Sequence, residues 1–294
     1  MRLSCSRLYP TFFLAVAFGL CHPWGLVAAQ RAIPDDNLSY PVLITLRSGG
    51  TGSGFYLNTG KAAYLGTAKH VFFDPATQKL RDVALDLLSY SKDPSDSTRN
   101  LFTLDLSVLQ NGGNIKPHPS EDVAVIKVMS TGENLKPAAA GTNATLMFPV
   151  PGVTPREVAK GAVLDVALDT VKPFEQVPTG NDVILFGYPT SLGLQQLPQV
   201  DVRRPLLRKG IVAGTNPQNR SIILDCPSYP GNSGGPVVEL DREAFRTHFT
   251  VIGVILQYVP FADVGHSNTL AIAILSNSGY SIAAPMDFVL GLVK

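Results

Sequence analysis

Gly231-Asn232-Ser233-Gly234-Gly235-Pro236 is the stretch around which the chain is organised. Three glycines, an asparagine and a proline within six residues make a tight turn that holds one serine. Pro236 sets φ for the exit, and Val237-Val238 begins a β-branched run that reads as a strand. A serine hydroxyl alone is a poor nucleophile. It needs a base beside it, and donors aimed at the oxyanion that attack creates. A turn of this kind can aim two backbone N–H groups at one point, here those of Gly231 and Ser233. On these six residues alone, a β-turn with an incidental serine explains the pattern equally well.

The flanking sequence is built of short apolar runs separated by Gly, Pro and Asn turns. Runs at residues 40–46, 55–57, 63–68, 83–90, 102–109 and 123–128 read as strands, and so do 181–188, 210–214, 221–224, 237–240, 249–258, 270–274 and 281–285. Only 287–293 reads as helix. The glycines of 48–54 suggest a phosphate loop, but no Lys-Ser/Thr closes it, so a hairpin loop is the expectation. Residues 91–100 are rich in Ser, Asp and Pro and read as an exposed loop. The proline-rich stretch 136–180 reads as a connection carrying an insertion. The expected fold class is all-β, as barrels or sandwiches.

Composition fits a globular protein: 294 residues, 45% hydrophobic, 16% charged, with 26 Gly and 23 Pro. The first 29 residues read as a secretory signal peptide. Arg2 and Arg7 give a positive start, residues 11–21 are apolar, and Val27-Ala28-Ala29 offers a small-residue cleavage site before Gln30. The apolar run is short for a membrane span, so no stable membrane insertion is expected after cleavage. The expected location is therefore secreted or periplasmic. Loss of Arg2 and Arg7 leaves 22 bases against 23 acids, a net charge of −1 that gives no footprint for nucleic acid. Cys5 and Cys21 fall in the signal segment. Cys226 alone remains, with no base beside it in sequence, and reads as a buried apolar thiol. No His, Cys, Asp and Glu spacing suggests a metal site, and no cofactor is expected.

Three stretches together resemble a known family. Thr67-Ala68-Lys69-His70, Asp122-Val123-Ala124-Val125-Ile126-Lys127 and the serine turn look like the His, Asp and Ser boxes of chymotrypsin/trypsin-like serine proteases. They occur in that family's order, 52 and 111 residues apart. Residues 183–189, 210–212, 251–254 and 283–285 extend the likeness, which is nearest to the disulfide-free bacterial branch that includes the periplasmic heat-shock proteases. The resemblance implies two antiparallel six-stranded β-barrels and a short C-terminal helix. It implies a barrel at 30–135 carrying His70 and Asp122, the connection at 136–180, and a barrel at 181–294 carrying Ser233. It also implies a serine endopeptidase acting on a protein or peptide through an acyl-enzyme, with an oxyanion hole formed by the N–H groups of Gly231 and Ser233. Alignment to the family puts the substrate pocket at Pro227, Leu256, Gln257, Tyr258, Ile282 and Ala283. Pro227 would be its floor and Tyr258 would narrow its mouth, so small to medium apolar side chains are expected there.

Other readings compete. His118 sits between two prolines, and His248 and His266 lack the setting of His70, so all three read as loop or surface histidines. Glu121 would point away from Asp122 in an extended segment. Asp105 sits in strand-like sequence. Arg203, Arg204, Arg208 and Lys209 read as a solvated basic loop. Gly231-x-Ser233-x-Gly235 also fits an esterase elbow, but that fold needs a helix after the serine and the histidine last in order. A protease-fold binding module would be expected to lack one of the three residues, and all are present. No separate peptide-binding domain is expected before Lys294, unlike the heat-shock proteases. The digestive branch of the family has an aspartate just before its serine, paired with a freed N-terminal ammonium. Asn232 carries no such charge, so activation by a new N-terminus is not expected.

Overall fold

A computed structural model describes residues 33–131, 147–159, 163–190, 195–243, 246–266 and 271–294. The described residues fall in one compact unit, Ile33–Lys294. The expected signal segment 1–29 lies outside the described residues.

The chain is all-β, as two antiparallel sheets and a short C-terminal helix. The first sheet contains β1 (Val42–Leu46), β2 (Thr51–Asn58), β3 (Ala62–Ala68), β4 (Ala84–Tyr90), β5 (Arg99–Asp105), β6 (Ile115–Pro117) and β7 (Val123–Thr131). It also takes in β8 (Met147–Pro149), β9 (Val153–Glu157) and β10 (Val166–Ala167). Its order is β6-β7-β3-β2-β1-β4-β5-β9, with β8 on β7 and β10 parallel to β2. The segment from β8 to β9 spans the seam: β8 pairs with β7, β9 pairs with β5, and Val150 N–H donates to Val128 O at 3.1 Å between them. The second sheet is a closed six-stranded barrel, β11-β12-β13-β16-β15-β14. Its strands are β11 (Asp182–Gly187), β12 (Leu206–Asn216), β13 (Ser221–Asp225), β14 (Pro236–Glu243), β15 (Arg246–His266) and β16 (Ala271–Pro285). Helix α2 (Met286–Val293) ends the chain.

Strand alternation explains why so many runs are apolar without interruption. Successive side chains of a strand point to opposite faces, so a strand buried on both sides must be apolar throughout. On β7, Ala124, Ile126 and Val128 enter the core of the first sheet, while Val123 and Val125 face the second. On β11, Val183 and Leu185 fill the second barrel, while Ile184 and Phe186 face the first. A shared apolar layer thus joins the halves, with Phe55, Leu57, Val238 and Val254 in it, closed at one end by Met286 and Val289 of α2. Each such large side chain contributes about 1.5–3 kcal/mol on burial.

Four expectations need correction. The first sheet has ten strands where six were expected: seven precede the stretch read as a connection, and β8, β9 and β10 come from within it. Within that stretch β8, β9 and β10 pair with the first sheet, while Phe174 and Val177 pack into the core of the second barrel. The run 102–109 does not stay extended. Leu106–Asn111 forms helix α1, and Asp105 caps it, its carboxylate accepting from Val108 N–H at 3.0 Å; Leu106 and Leu109 still reach the core. The hairpin loop expected at 48–54 ends early, because Thr51 to Gly54 already pair with β1. Finally, the runs expected at 270–274 and 281–285 belong, from Ala271 on, to one strand, β16, which pairs with β15 out to His266.

Candidate active site

His70 and Asp122 meet because of how β3 and β7 pair. The register Ala68↔Val123 sets the end of β3 beside the start of β7. The chain then turns at Lys69–Val71, where Lys69 N–H donates to Asp122 O at 3.0 Å. The Asp122 carboxylate takes two bonds from His70. Its Oδ1 accepts the backbone N–H at 2.8 Å, and its Oδ2 lies 2.6 Å from Nδ1. A carboxylate only accepts, so Nδ1 carries the ring proton and Nε2 of the neutral ring keeps its lone pair. The side chains are about one-third exposed, His70 33% and Asp122 36%, which leaves the ring open to the cleft. Arg81 secures the backbone here, its Nη1 donating to His70 O at 3.0 Å.

Ser233 comes from the other half, in the turn between β13 and β14. Gly231 and Gly234 have φ of +93° and +88°, which side chains rarely adopt. A Cβ on Gly231 would collide with Tyr188 O, and one on Gly234 with Thr67 Oγ1 and Ser53 O. Gly234 thus lets the turn sit against the first sheet, and Gly231 lets it pass close to the segment that follows β11. The turn is closed by Asn232 N–H to Tyr229 O and Gly235 N–H to Asn232 O, both at 2.9 Å. Gly234 N–H donates to Ile255 O at 2.7 Å, tying it to β15. Asn232 is 1% exposed, and its Oδ1 accepts from Tyr229 N–H at 3.0 Å. Among the described residues no hydrogen bond engages the N–H of Gly231 or of Ser233. The Ser233 hydroxyl donates to Leu256 O at 3.0 Å.

His70, Asp122, Gly231 and Ser233 line one cleft of about 640 Å³. Of the expected pocket residues, Leu256, Gln257 and Tyr258 line it as well. Pro227, Ile282 and Ala283 do not. Ala283 is fully buried and points into the barrel core, and alternation sends its neighbour Ile282 outward elsewhere. Ser228, Tyr229 and Pro230 form that wall instead, with Ser228 O held by Asn277 Nδ2 at 2.6 Å. Counting six residues back from the serine lands one residue before this wall. Sequence reasoning also missed the first-sheet wall of Thr51, Phe73, Gln78 and Arg81, which carries no motif.

The other titratable candidates lie outside the cleft. His118 Nδ1 accepts from Glu121 N–H at 3.0 Å, and its ring sits edge-on to Phe288. His248 and His266 lie on β15. Glu121 accepts from the Ser120 hydroxyl. Cys226 is buried, which pushes its thiol up to about 11 despite the opposing pull of Arg208. Of the basic residues expected in a solvated loop, Arg203, Arg204 and Lys209 are exposed, but Arg208 and Lys209 lie on β12; Arg204 meets Asp201 and the Tyr90 ring, Arg208 lies over the Tyr229 ring, and Lys209 pairs with Asp182.

A two-sheet fold with a histidine–carboxylate pair on one half and a serine turn on the other defines the trypsin-like class. The family model described as trypsin-like peptidase domain matches residues 52–245, more than half of the chain, and the chain belongs to that family. A comparison with curated protein sequences finds no match. Among solved structures the chain is similar to HtrA-type protease AlgW with tripeptide, at 15% identity and a TM-score of 0.47, covering 88% of this chain and 62% of that one. It is also similar to AlgW with decapeptide, at 17% identity and a TM-score of 0.42, covering 81% and 49%. The chain thus spans less than two-thirds of the length of these structures.

Proposed function

We propose that this protein is a serine endopeptidase that cleaves peptide bonds through His70, Asp122 and Ser233. The observation that carries the reading is the 2.6 Å approach of His70 Nδ1 to the Asp122 carboxylate, in a cleft that Ser233 also lines. The carboxylate fixes the tautomer, so Nε2 is the atom free to take a proton. Rotation of the Ser233 hydroxyl from Leu256 O toward Nε2 readies it for attack. Oγ then bonds to the peptide carbonyl carbon as its proton passes to Nε2. The N–H groups of Gly231 and Ser233 donate to the oxyanion. When the C–N bond breaks, His70 gives that proton to the leaving amine. Water repeats the sequence on the acyl-enzyme and frees Ser233.

The acyl side of the cleft is lined by Ser228, Tyr229, Leu256 and Tyr258, with no carboxylate among them, which favours small to medium apolar side chains before the cut bond. The N-terminal charge and apolar pattern supports secretion or a periplasmic location after signal cleavage. Among the described residues no helix is long and apolar enough to cross a membrane. Digestion of a peptide library by the chain beginning at Gln30 tests the activity and the preference together. Cuts should follow apolar residues, and Ser233→Ala and His70→Ala should each lose several orders of magnitude, the double variant little more. Full activity in either single variant would refute the reading. A profile dominated by Lys or Arg would overturn the pocket assignment alone.

A further inference from the structure

We propose that Ser53 is a positioning residue that holds the serine turn in its reactive shape from the opposite sheet. This rests on the proposed serine chemistry and adds a residue to it. Ser53 lies on β2, is fully buried, and spends all its polar groups on this task. Its Oγ donates to Gly231 O at 2.7 Å and accepts from Tyr188 N–H at 2.9 Å. Its N–H donates to Ser233 O at 2.8 Å. Its carbonyl accepts from Thr67 Oγ1 at 2.7 Å, three residues before His70.

These bonds and two others fix the direction of successive peptide planes in the turn. In a trans peptide the C=O and the following N–H point opposite ways, so holding one aims the other. Thr190 N–H holds Pro230 O at 2.9 Å, which turns Gly231 N–H the other way. Gly235 N–H holds Asn232 O and does the same for Ser233 N–H. Glycine at 231 leaves the chain free to rotate between these planes. Ser53 removes that freedom by pinning the carbonyls of both Gly231 and Ser233. The pin comes from the sheet that carries His70, and Thr67 continues it on β3. One buried hydroxyl and one N–H therefore lock the planes that follow Gly231 and Ser233, and together with the bonds from Thr190 and Gly235 they hold Ser233 and both oxyanion donors relative to the base. No charged group takes part, consistent with Asn232 standing next to the serine.

The test compares Ser53→Ala with the unaltered chain in three readouts: the rate of fluorophosphonate labelling at Ser233, the kcat and KM for one library peptide, and amide exchange over residues 229–235. Labelling and kcat should fall ~10–100-fold, part of the loss of about 10²–10³ seen when an oxyanion donor is deleted. KM should move less than about threefold, since ground-state binding does not use these donors. Exchange should rise at the turn and stay unchanged in β7. Thr67→Val, which keeps shape but drops the bond to Ser53 O, should give a smaller shift of the same kind; it carries the test if Ser53→Ala does not fold. Equal labelling and kcat in the folded variants would overturn the role of Ser53 and leave the peptidase reading intact. A KM change in place of a kcat change would overturn it too. An unaltered chain that neither labels nor cleaves would overturn both.

Discussion

Asp122 shows how much one side chain can decide. Its two oxygens receive the backbone and the ring of His70, so it sets both the turn and the tautomer. Asp122→Asn keeps the size but offers an N–H to Nδ1, which favours the proton on Nε2 where the base must be empty. Peptide cleavage should fall on the order of 10⁴-fold, as the same exchange does in a Ser-His-Asp hydrolase, with little change in stability. Steady-state kinetics beside thermal unfolding checks this. Retained kcat would mean that Asp122 does not govern the tautomer. At this scale the sequence was most legible. Ser233 was marked by its own glycine turn, whereas His70 and Asp122 were readable only through the resemblance of their stretches to a known family, and the structure brings all three to one cleft. Ser53 was not readable, because a serine among glycines carries no mark of a partner 178 residues away. Nor were Gln78 and Arg81, which reach the cleft through tertiary placement alone.

Among the elements, β14 carries a buried charge. Glu239 is 0% exposed and accepts from Asn181 and Thr250, and Lys172 reaches it from the stretch ahead of β11. Burial alone would lower the Lys172 pKa, but hydrogen bonding and charge from Glu239 and Asp241 outweigh it and leave it raised. A raised folded value means the stabilisation is complete below the usual 10.5 and fades as pH climbs through the folded value. Lys172→Met strands a buried carboxylate and should cost about 3–5 kcal/mol at neutral pH. Urea unfolding of the variant, alone and with Glu239→Gln, measures it. The second change should recover part of the loss, and no recovery would assign the cost to packing. Strand positions were legible from apolar runs and turns. Helix α1 was hidden because Leu106 and Leu109 suit a buried strand as well as one helical face, and the N-cap role of Asp105 decides between them.

At the scale of the whole molecule, the shared layer between the sheets makes one working unit of two half-sites. Ile184 and Phe186 on one side meet Phe55 and Val125 on the other, and the Ser53 bonds lie beside them. The pairing of two barrels was legible only through the order of the boxes. That β8, β9 and β10 return to the first sheet was not, because short, partly exposed strands, two of them containing proline, lack the apolar pattern of the others. The central claim is that this assembly makes the Ser233 hydroxyl a nucleophile. Its most direct test is to treat the folded chain with a fluorophosphonate and locate the adduct by peptide mass spectrometry. The account predicts a single adduct on Ser233, lost in His70→Ala and on unfolding. A folded chain that stays unlabelled, or that labels equally well without His70, would contradict it.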